Sequence, residues 1–345
     1  MENKEGFKPL PFWKELFLKK EELPDYYRLK RKYLHEHGKS ISGMKWRELI
    51  HPVMLSIMTI DTKIFSRQTM EIIRDDRMKT EKPKIYAITH MGMDDYQVIS
   101  EAIKEHQIPL SADPERMYRT LDGKVLDLNG IIYCDTDDKE DRGISQSTAI
   151  ELLKSGKNLL IYPEGVWNIT PNLLMLPIFP GIIRMAKETG AEIIPCAIEQ
   201  YEKHFIVSIG KNFTIEDKKY NNEEEEKKYI EEKKQELRDI MATLKWEVIS
   251  KRPQEKRKDI GDYETYNRNF KDERLNEWHD PKTSIPYYND EIVEKRTFRV
   301  KNITFSKDAF NYFGKIKLNR NNAFLFRKDP SMPKNAEEDK ERKLK

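Results

Sequence analysis

The chain has only two cysteines in 345 residues, Cys134 and Cys196. Both fall inside apolar strand-like runs, and neither lies at metal-ligand spacing. This argues against a disulfide framework, a zinc cluster or a C-x-x-C redox motif. Both thiols are expected to be reduced core residues of an intracellular protein. Long hydrophobic runs are also missing. No stretch reaches the roughly 18 apolar residues that a spanning helix needs. The charged N-terminus lacks the apolar segment of a secretory signal. Charge of one sign does not dominate either: 63 Lys and Arg offset 60 Asp and Glu, leaving a net charge of +3. Bulk charge therefore makes no case for nucleic acid, and the interleaved Lys and Glu read as solvated helix faces. There is no Gly-x-Ser-x-Gly elbow, which disfavours a serine esterase. Internal repeats, metal-spaced Cys/His clusters and a phosphate-cradling glycine loop are also absent. The expectation is a cytoplasmic protein, at most peripheral to a membrane, on its inner face.

What is present is an alternation of strand-like and helix-like segments. Short apolar runs at Ile85–Thr89, Gly130–Cys134, Asn158–Tyr162, Ile193–Ile198 and Phe205–Ile209 predict strands, with a further short one near Pro109–Ala112. Between them lie helical stretches, from about Asp95 to His106 and from Gln146 to Ser155, and a third that ends at Thr189-Gly190. This order predicts an α/β fold: a mainly parallel sheet flanked by helices. The segment Asp137–Arg142 reads as a charged surface loop. Residues 83–249 form the expected catalytic domain. It closes with a Glu/Lys-rich helix, roughly Glu223 to Ile249, whose apolar stripe indicates structural packing.

The most informative segment is Ile88-Thr89-His90-Met91-Gly92-Met93-Asp94-Asp95. A histidine at the end of a strand is presented at the C-terminal edge of the sheet, where open α/β sheets bind ligands. One turn of helix can bring Asp95 back to the imidazole, fixing its tautomer and leaving the other ring nitrogen free to take a proton. The alternative is plain helix capping by Asp94 or Asp95 beside a solvated His90. Three further blocks follow in order: Asn129-Gly130-Ile131-Ile132-Tyr133-Cys134-Asp135; Tyr162-Pro163-Glu164-Gly165-Val166-Trp167; and, after Phe179-Pro180-Gly181, the strand Ile193–Ile198 with Pro195 inside it.

Together these segments, over roughly residues 83 to 210, resemble the 1-acyl-sn-glycerol-3-phosphate acyltransferase family of glycerolipid acyltransferases. The resemblance implies a His90–Asp95 general base that activates an acceptor hydroxyl for attack on an acyl thioester, carried on coenzyme A or acyl carrier protein. No permanently bound cofactor and no metal is implied. Glu164 and Gly165 would serve acceptor binding, and Gly165 would let the backbone approach a ligand closely. Two positions depart from the family. Thr136 and Trp167 stand where the family has the arginines associated with the acceptor's phosphate. Arg142, Lys139, Arg184 or Arg119 would then have to supply the planar or point charge that binds phosphate; otherwise the acceptor is a phosphate-free sugar, polyol or amine lipid. Trp167 would either stack on the acceptor or pack in the core. A catalytically silent lipid-binding protein is the reading from a different class.

The flanks are less informative. Residues 1–82 read as a mostly helical segment with Phe12, Trp13, Phe17, Tyr26, Tyr27 and Tyr33 among Lys14, Lys19, Lys20, Arg28, Lys30, Arg31 and Lys32. Such a basic, aromatic helix suits a membrane interface, unless it packs on the catalytic domain. Pro52–Ile60 is the most apolar stretch and is expected to be either a buried helix or a lipid-facing one. Residues 250–345 form an extension of unassigned role, with short strands expected at Thr297–Val300 and Ala323–Phe326 and a disordered tail.

Overall fold

The computed structural model describes residues 7–15, 17–90, 95–112, 118, 121–136, 138–165, 168, 175–201, 203–218 and 220–251. The strands expected at Thr297–Val300 and Ala323–Phe326, and the expected disordered tail, lie outside the described residues. Seven strands form one sheet: β1 (Thr69–Asp75), β2 (Lys84–Ile88), β3 (Gln107–Ala112), β4 (Ile132–Cys134), β5 (Asn158–Ile161), β6 (Glu192–Tyr201) and β7 (His204–Ile209). Their order is β1-β7-β6-β2-β5-β3-β4. β6, β2, β5, β3 and β4 run parallel. β7 turns back antiparallel to β6, and β1 lies parallel to β7. The sheet is therefore mainly parallel, as expected.

The helices are α1 (Phe12–Glu15), α2 (Leu23–Glu36), α3 (Met44–Ile60), α4 (Asp95–Ile103), α5 (Leu121–Asn129), α6 (Lys139–Lys154), α7 (Gly181–Thr189) and α8 (Glu223–Ser250). Successive side chains of a strand point to opposite faces, and β2 shows the consequence. Ile85 and Ala87 pack in the cluster that contains Leu152, Ile183 and Leu237 from α6, α7 and α8. Tyr86 and Ile88 pack on Val98, Ile99 and Ala102 from α4. Both faces of β2 are covered, which is why its sequence reads as a continuous apolar run.

Three features differ from the sequence-based expectation. First, the sheet begins before residue 83: Thr69–Asp75 is a strand, not part of a helical segment. It is an edge strand with most positions exposed, so it lacks the apolar alternation that reveals a half-buried strand. Second, the charged stretch around Lys139 to Arg142 is helix, not loop. The Asp138 side chain caps α6 by accepting the Asp141 N–H at 2.9 Å, a common role for Asp at a helix start. Third, the basic residues of α2 are engaged within the protein. Arg31 grips Asp141 through two nitrogens at 2.8 Å each and also donates to the Tyr118 hydroxyl. Lys32 pairs with Glu140, Lys30 with Glu15 and Arg28 with Asp25. α2 is thereby fastened to α6. Cys196 is buried, as expected of a core residue, whereas Cys134 is half-buried, and burial pushes both thiols above their ordinary range.

The apolar exposure lies instead on α3 and the turn after it. Trp46, Leu49, Val53, Ile57, Ile60 and Ile64 are all exposed, Leu49 at 78%. Their spacing of three, four, four, three and four residues puts them on one helical face. Phe65 extends the stripe at 75% exposure. Among the described residues, no helix is long and apolar enough to cross a membrane.

Arg31 is the joint between α2 and the sheet-bearing body, and Asp141 is fully buried beneath it. Arg31→Met should leave that carboxylate uncompensated. We expect a loss of about 3 kcal/mol in unfolding free energy by urea titration, the scale seen when one partner of a buried pair is removed. No change would mean that water takes over the guanidinium's place at no cost.

Candidate active site

β2 ends at Ile88, and the next two residues carry the site. Thr89 stays tied to β6: its N–H donates to the Cys196 carbonyl at 3.2 Å, and its hydroxyl accepts the Ile198 N–H at 3.1 Å. His90 therefore leaves the sheet from a fixed point. Asp95 is the first residue of α4. It is buried, and its Oδ2 lies 3.0 Å from His90 Nδ1. With Asp95 ionised, Nδ1 carries the ring proton and donates it to the carboxylate. Nε2 then keeps its lone pair, on a side chain that is 21% exposed. Asp94, the other candidate for capping the helix, lies outside the described residues.

The end of β5 lies beside β2 and builds the next wall. The Tyr162 ring stacks on the His90 imidazole, with centroids 3.9 Å apart and planes 19° from parallel. A turn follows in which the Gly165 N–H donates to the Tyr162 carbonyl at 2.9 Å. Gly165 has φ +69°, and a Cβ there would come within 2.5 Å of the Phe179 ring. Glycine is thus required twice, for the left-handed backbone and for the close approach of Phe179. Further along, the Asn168 N–H donates to the His90 carbonyl at 3.0 Å, closing the loop back onto the strand end.

Glu164 is buried at 3% exposure. Its Oε2 accepts the Leu176 N–H at 2.7 Å, and Oε1 has no hydrogen-bond partner among the described residues. Burial raises its pKa to about 7, while the Leu176 N–H, Lys245, the His90 backbone and Arg238 all pull the other way. The two cations come from α8. Arg238 donates to the carbonyls of Met175 and Leu176, at 2.9 and 3.2 Å. Lys245 donates to the Ile198 carbonyl at 2.6 Å and pairs with Glu199 at 2.8 Å. Glu164 and Arg238 together clamp the 175–176 segment, and Lys245 braces β6 behind Thr89. Charge alternation along the sequence of α8 indicated a solvated helix with a packing stripe, and the roles of Arg238 and Lys245 beneath the site carried no local signal.

The structure brings His90, Asp95, Glu164 and Gly165 together, and adds Tyr162 and Asn168. Tyr162 was legible in sequence only as the end of a strand. Arg142 is elsewhere: it lies in the first turn of α6, exposed, with its guanidinium donating to the Thr136 carbonyl at 2.5 Å. That corner follows β4, three strands from β2, or roughly 14 Å at ordinary strand spacing. Lys139 shares that corner, and Arg184 is exposed on α7. Trp167 and Arg119 lie outside the described residues. Among the described residues, no cluster of His, Cys, Asp and Glu could hold a metal ion.

A histidine held by a carboxylate at the edge of a parallel sheet is an arrangement that can take a proton from a hydroxyl. Residues 69–199 match the model of the Acyltransferase family, so the chain carries an acyltransferase domain. Among solved structures, the chain is similar to the crystal structure of the 1-acyl-sn-glycerophosphate (LPA) acyltransferase, PlsC, from Thermotoga maritima. The match is 14% identical, covers 64% of this chain and 98% of that one, and has a TM-score of 0.43. No match was found among curated proteins.

The buried carboxyl of Glu164 has a measurable consequence. Its folded pKa of about 7 exceeds the ordinary 4.5. Between those values the folded state holds a proton that the unfolded state has lost, so stability falls as pH rises through this window. Wild type should lose about 3 kcal/mol relative to Glu164→Gln between about pH 5 and about pH 8. Urea titrations of both proteins at the two pH values test this; parallel curves would contradict the burial of an ionisable Glu164.

Proposed function

We propose that the chain transfers a fatty acyl group from an acyl thioester, carried on coenzyme A or acyl carrier protein, to a free hydroxyl of a lysophospholipid, with lysophosphatidate as the acceptor. The observation that carries this reading is the 3.0 Å bond between His90 Nδ1 and buried Asp95, which makes Nε2 the ring nitrogen that would meet the acceptor. Nε2 takes the proton of the acceptor hydroxyl as its oxygen attacks the thioester carbonyl carbon. The tetrahedral oxyanion collapses, the C–S bond breaks, and the departing sulfur takes the proton back from the imidazolium. Asp95 stabilises the imidazolium between these two transfers. The turn at Gly165 lets backbone approach the reacting groups, and Glu164 serves acceptor binding through the segment it clamps at Leu176.

Lipid acceptors partition into membranes, and the exposed stripe of α3 fits peripheral docking on one. α3 is 17 residues long, about 25 Å at the ordinary helical rise. An amphipathic helix of that length lies in the interface plane rather than crossing it. Its far end is joined to the catalytic helix: Thr62, just after α3, bonds to Glu101 of α4, and Asp61 to Gln97. Docking through α3 would therefore hold α4, and with it Asp95, close to the lipid surface.

A second reading, a phosphate-free acceptor, is favoured by Thr136 and Trp167 at the two arginine positions and by Arg142 turned onto Thr136 at the far corner of the sheet. Thiol release from palmitoyl-CoA and from acyl carrier protein, measured with lysophosphatidate and with sugars, polyols and amine lipids, separates the two. We expect release with lysophosphatidate, and a fall of about 10²–10⁴-fold in His90→Ala, the range of general-base catalysis. Release only with phosphate-free acceptors would establish the second reading. Full activity in His90→Ala would remove the base from the mechanism.

The membrane claim has its own test. Leu49→Asp/Val53→Asp/Ile57→Asp should reduce co-sedimentation with phospholipid vesicles by about 100-fold or more, since each side chain buried in an apolar medium contributes about 1.5–3 kcal/mol. Unchanged sedimentation would rule out α3 as the docking face.

A further inference from the structure

We propose that Tyr162 is a positioning residue for the reaction: its ring, stacked on His90, sets the plane of the imidazole and stabilises the imidazolium as it forms. The inference rests on the reading of His90 as the base. Asp95 meets the imidazole at one edge, through Nδ1. That bond fixes the edge of the ring, and a contact on the face is what fixes its plane. The Tyr162 ring supplies it by covering one face at 3.9 Å, with the planes 19° from parallel. Edge and face together leave Nε2 one direction in which to point.

The second part of the role is electrostatic. An aromatic face carries partial negative charge and attracts a cation above it. During transfer the imidazole becomes that cation, so the attraction grows as the proton arrives, and only interactions that strengthen in the transition state raise the rate. Tyr162 is held for this task from three sides. It follows β5 directly, with Leu160 and Ile161 buried in the sheet. Its carbonyl is fixed by the Gly165 N–H. Its ring packs against the cluster formed by Ile88, Val98 and Ile99. Burial, together with the charge of Asp95, pushes its phenol well above the ordinary range, so the ring stays neutral and is not itself a proton carrier.

The test compares Tyr162→Phe, which keeps the ring, with Tyr162→Leu, which removes it at similar bulk. Two readouts are used: kcat and KM for thiol release, and the NMR shifts of the His90 ring protons. In wild type and in Tyr162→Phe those protons should lie upfield, shielded by the ring they stack on, and in Tyr162→Leu the shielding should vanish. Tyr162→Leu should lose about ten-fold in kcat with KM little changed, the scale of a desolvated cation–aromatic contact, while Tyr162→Phe stays near wild type. Equal losses in both variants would assign the effect to the hydroxyl and overturn the proposal. Wild-type kcat in Tyr162→Leu, with the shielding gone, would also overturn it. His90→Ala, assayed alongside, keeps the two claims apart: full activity there defeats the base, whereas unshielded His90 protons in wild type defeat the stack alone.

Discussion

The site depends on β2 being paired on both sides by strands that run in its own direction. β5 and β6 hold β2 residue by residue, Ile85 against Leu159 and Ile193, Ala87 against Ile161 and Pro195. Parallel strands end on the same edge, so the residues that follow β2, β5 and β6 meet there. His90 follows β2, Tyr162 through Gly165 follow β5, and Ile198 and Glu199 flank Thr89 from β6. A register slip of one residue would turn every side chain of β2 to the opposite face. The apolar packing on both faces of β2 therefore also fixes the direction in which His90 leaves the sheet.

From that edge inward the site is layered. His90 is the exposed layer. Asp95, Tyr162 and the Asn168 N–H hold its edge, its face and its backbone. Beneath them Glu164 and Arg238 hold Met175 and Leu176, and Lys245 holds Ile198. The deepest layer is ionic and buried, and α8 supplies its cations. Buried charges of this kind contribute little net stability, since the cost of desolvation offsets their attraction. Their effect here is geometric: Glu164 and Arg238 saturate the amide and carbonyls of the 175–176 segment, and Lys245 saturates the Ile198 carbonyl of β6.

The N-terminal elements divide two tasks that a composition reading merges. α2 is basic and aromatic, yet its cations face α6 or pair within their own segment, and its Tyr26 is buried with the hydroxyl on Glu15. α3 carries the exposed apolar stripe instead. A helix with cations and aromatics can satisfy them on a neighbouring acidic helix as readily as on a lipid surface, and Asp138, Glu140 and Asp141 at the start of α6 offer that alternative.

Local pattern was sufficient for six of the seven described strands and for the His90–Asp95 pair. Their apolar runs are short and bounded, and a carboxylate one helical turn past a histidine is within reach of it. Glycine at position 165 was expected to let backbone approach a ligand; what the structure shows beside it is the Phe179 ring. β1 was not legible, because an edge strand is chosen by the backbone of its neighbour β7 and needs no apolar alternation of its own. Nor were Arg238 and Lys245, whose partners lie 62 and 47 residues away in the chain and which read like the other charges of a Glu/Lys-rich helix. The stack of Tyr162 on His90 belongs to the same class: the two residues stand 72 positions apart, and only the pairing of β2 with β5 brings their rings into contact. By itself the sequence determined which segments are buried and which chemical groups the strand ends carry. The tertiary structure decided which of those ends are neighbours, because strand order and helix docking arise from long-range packing that no local window contains.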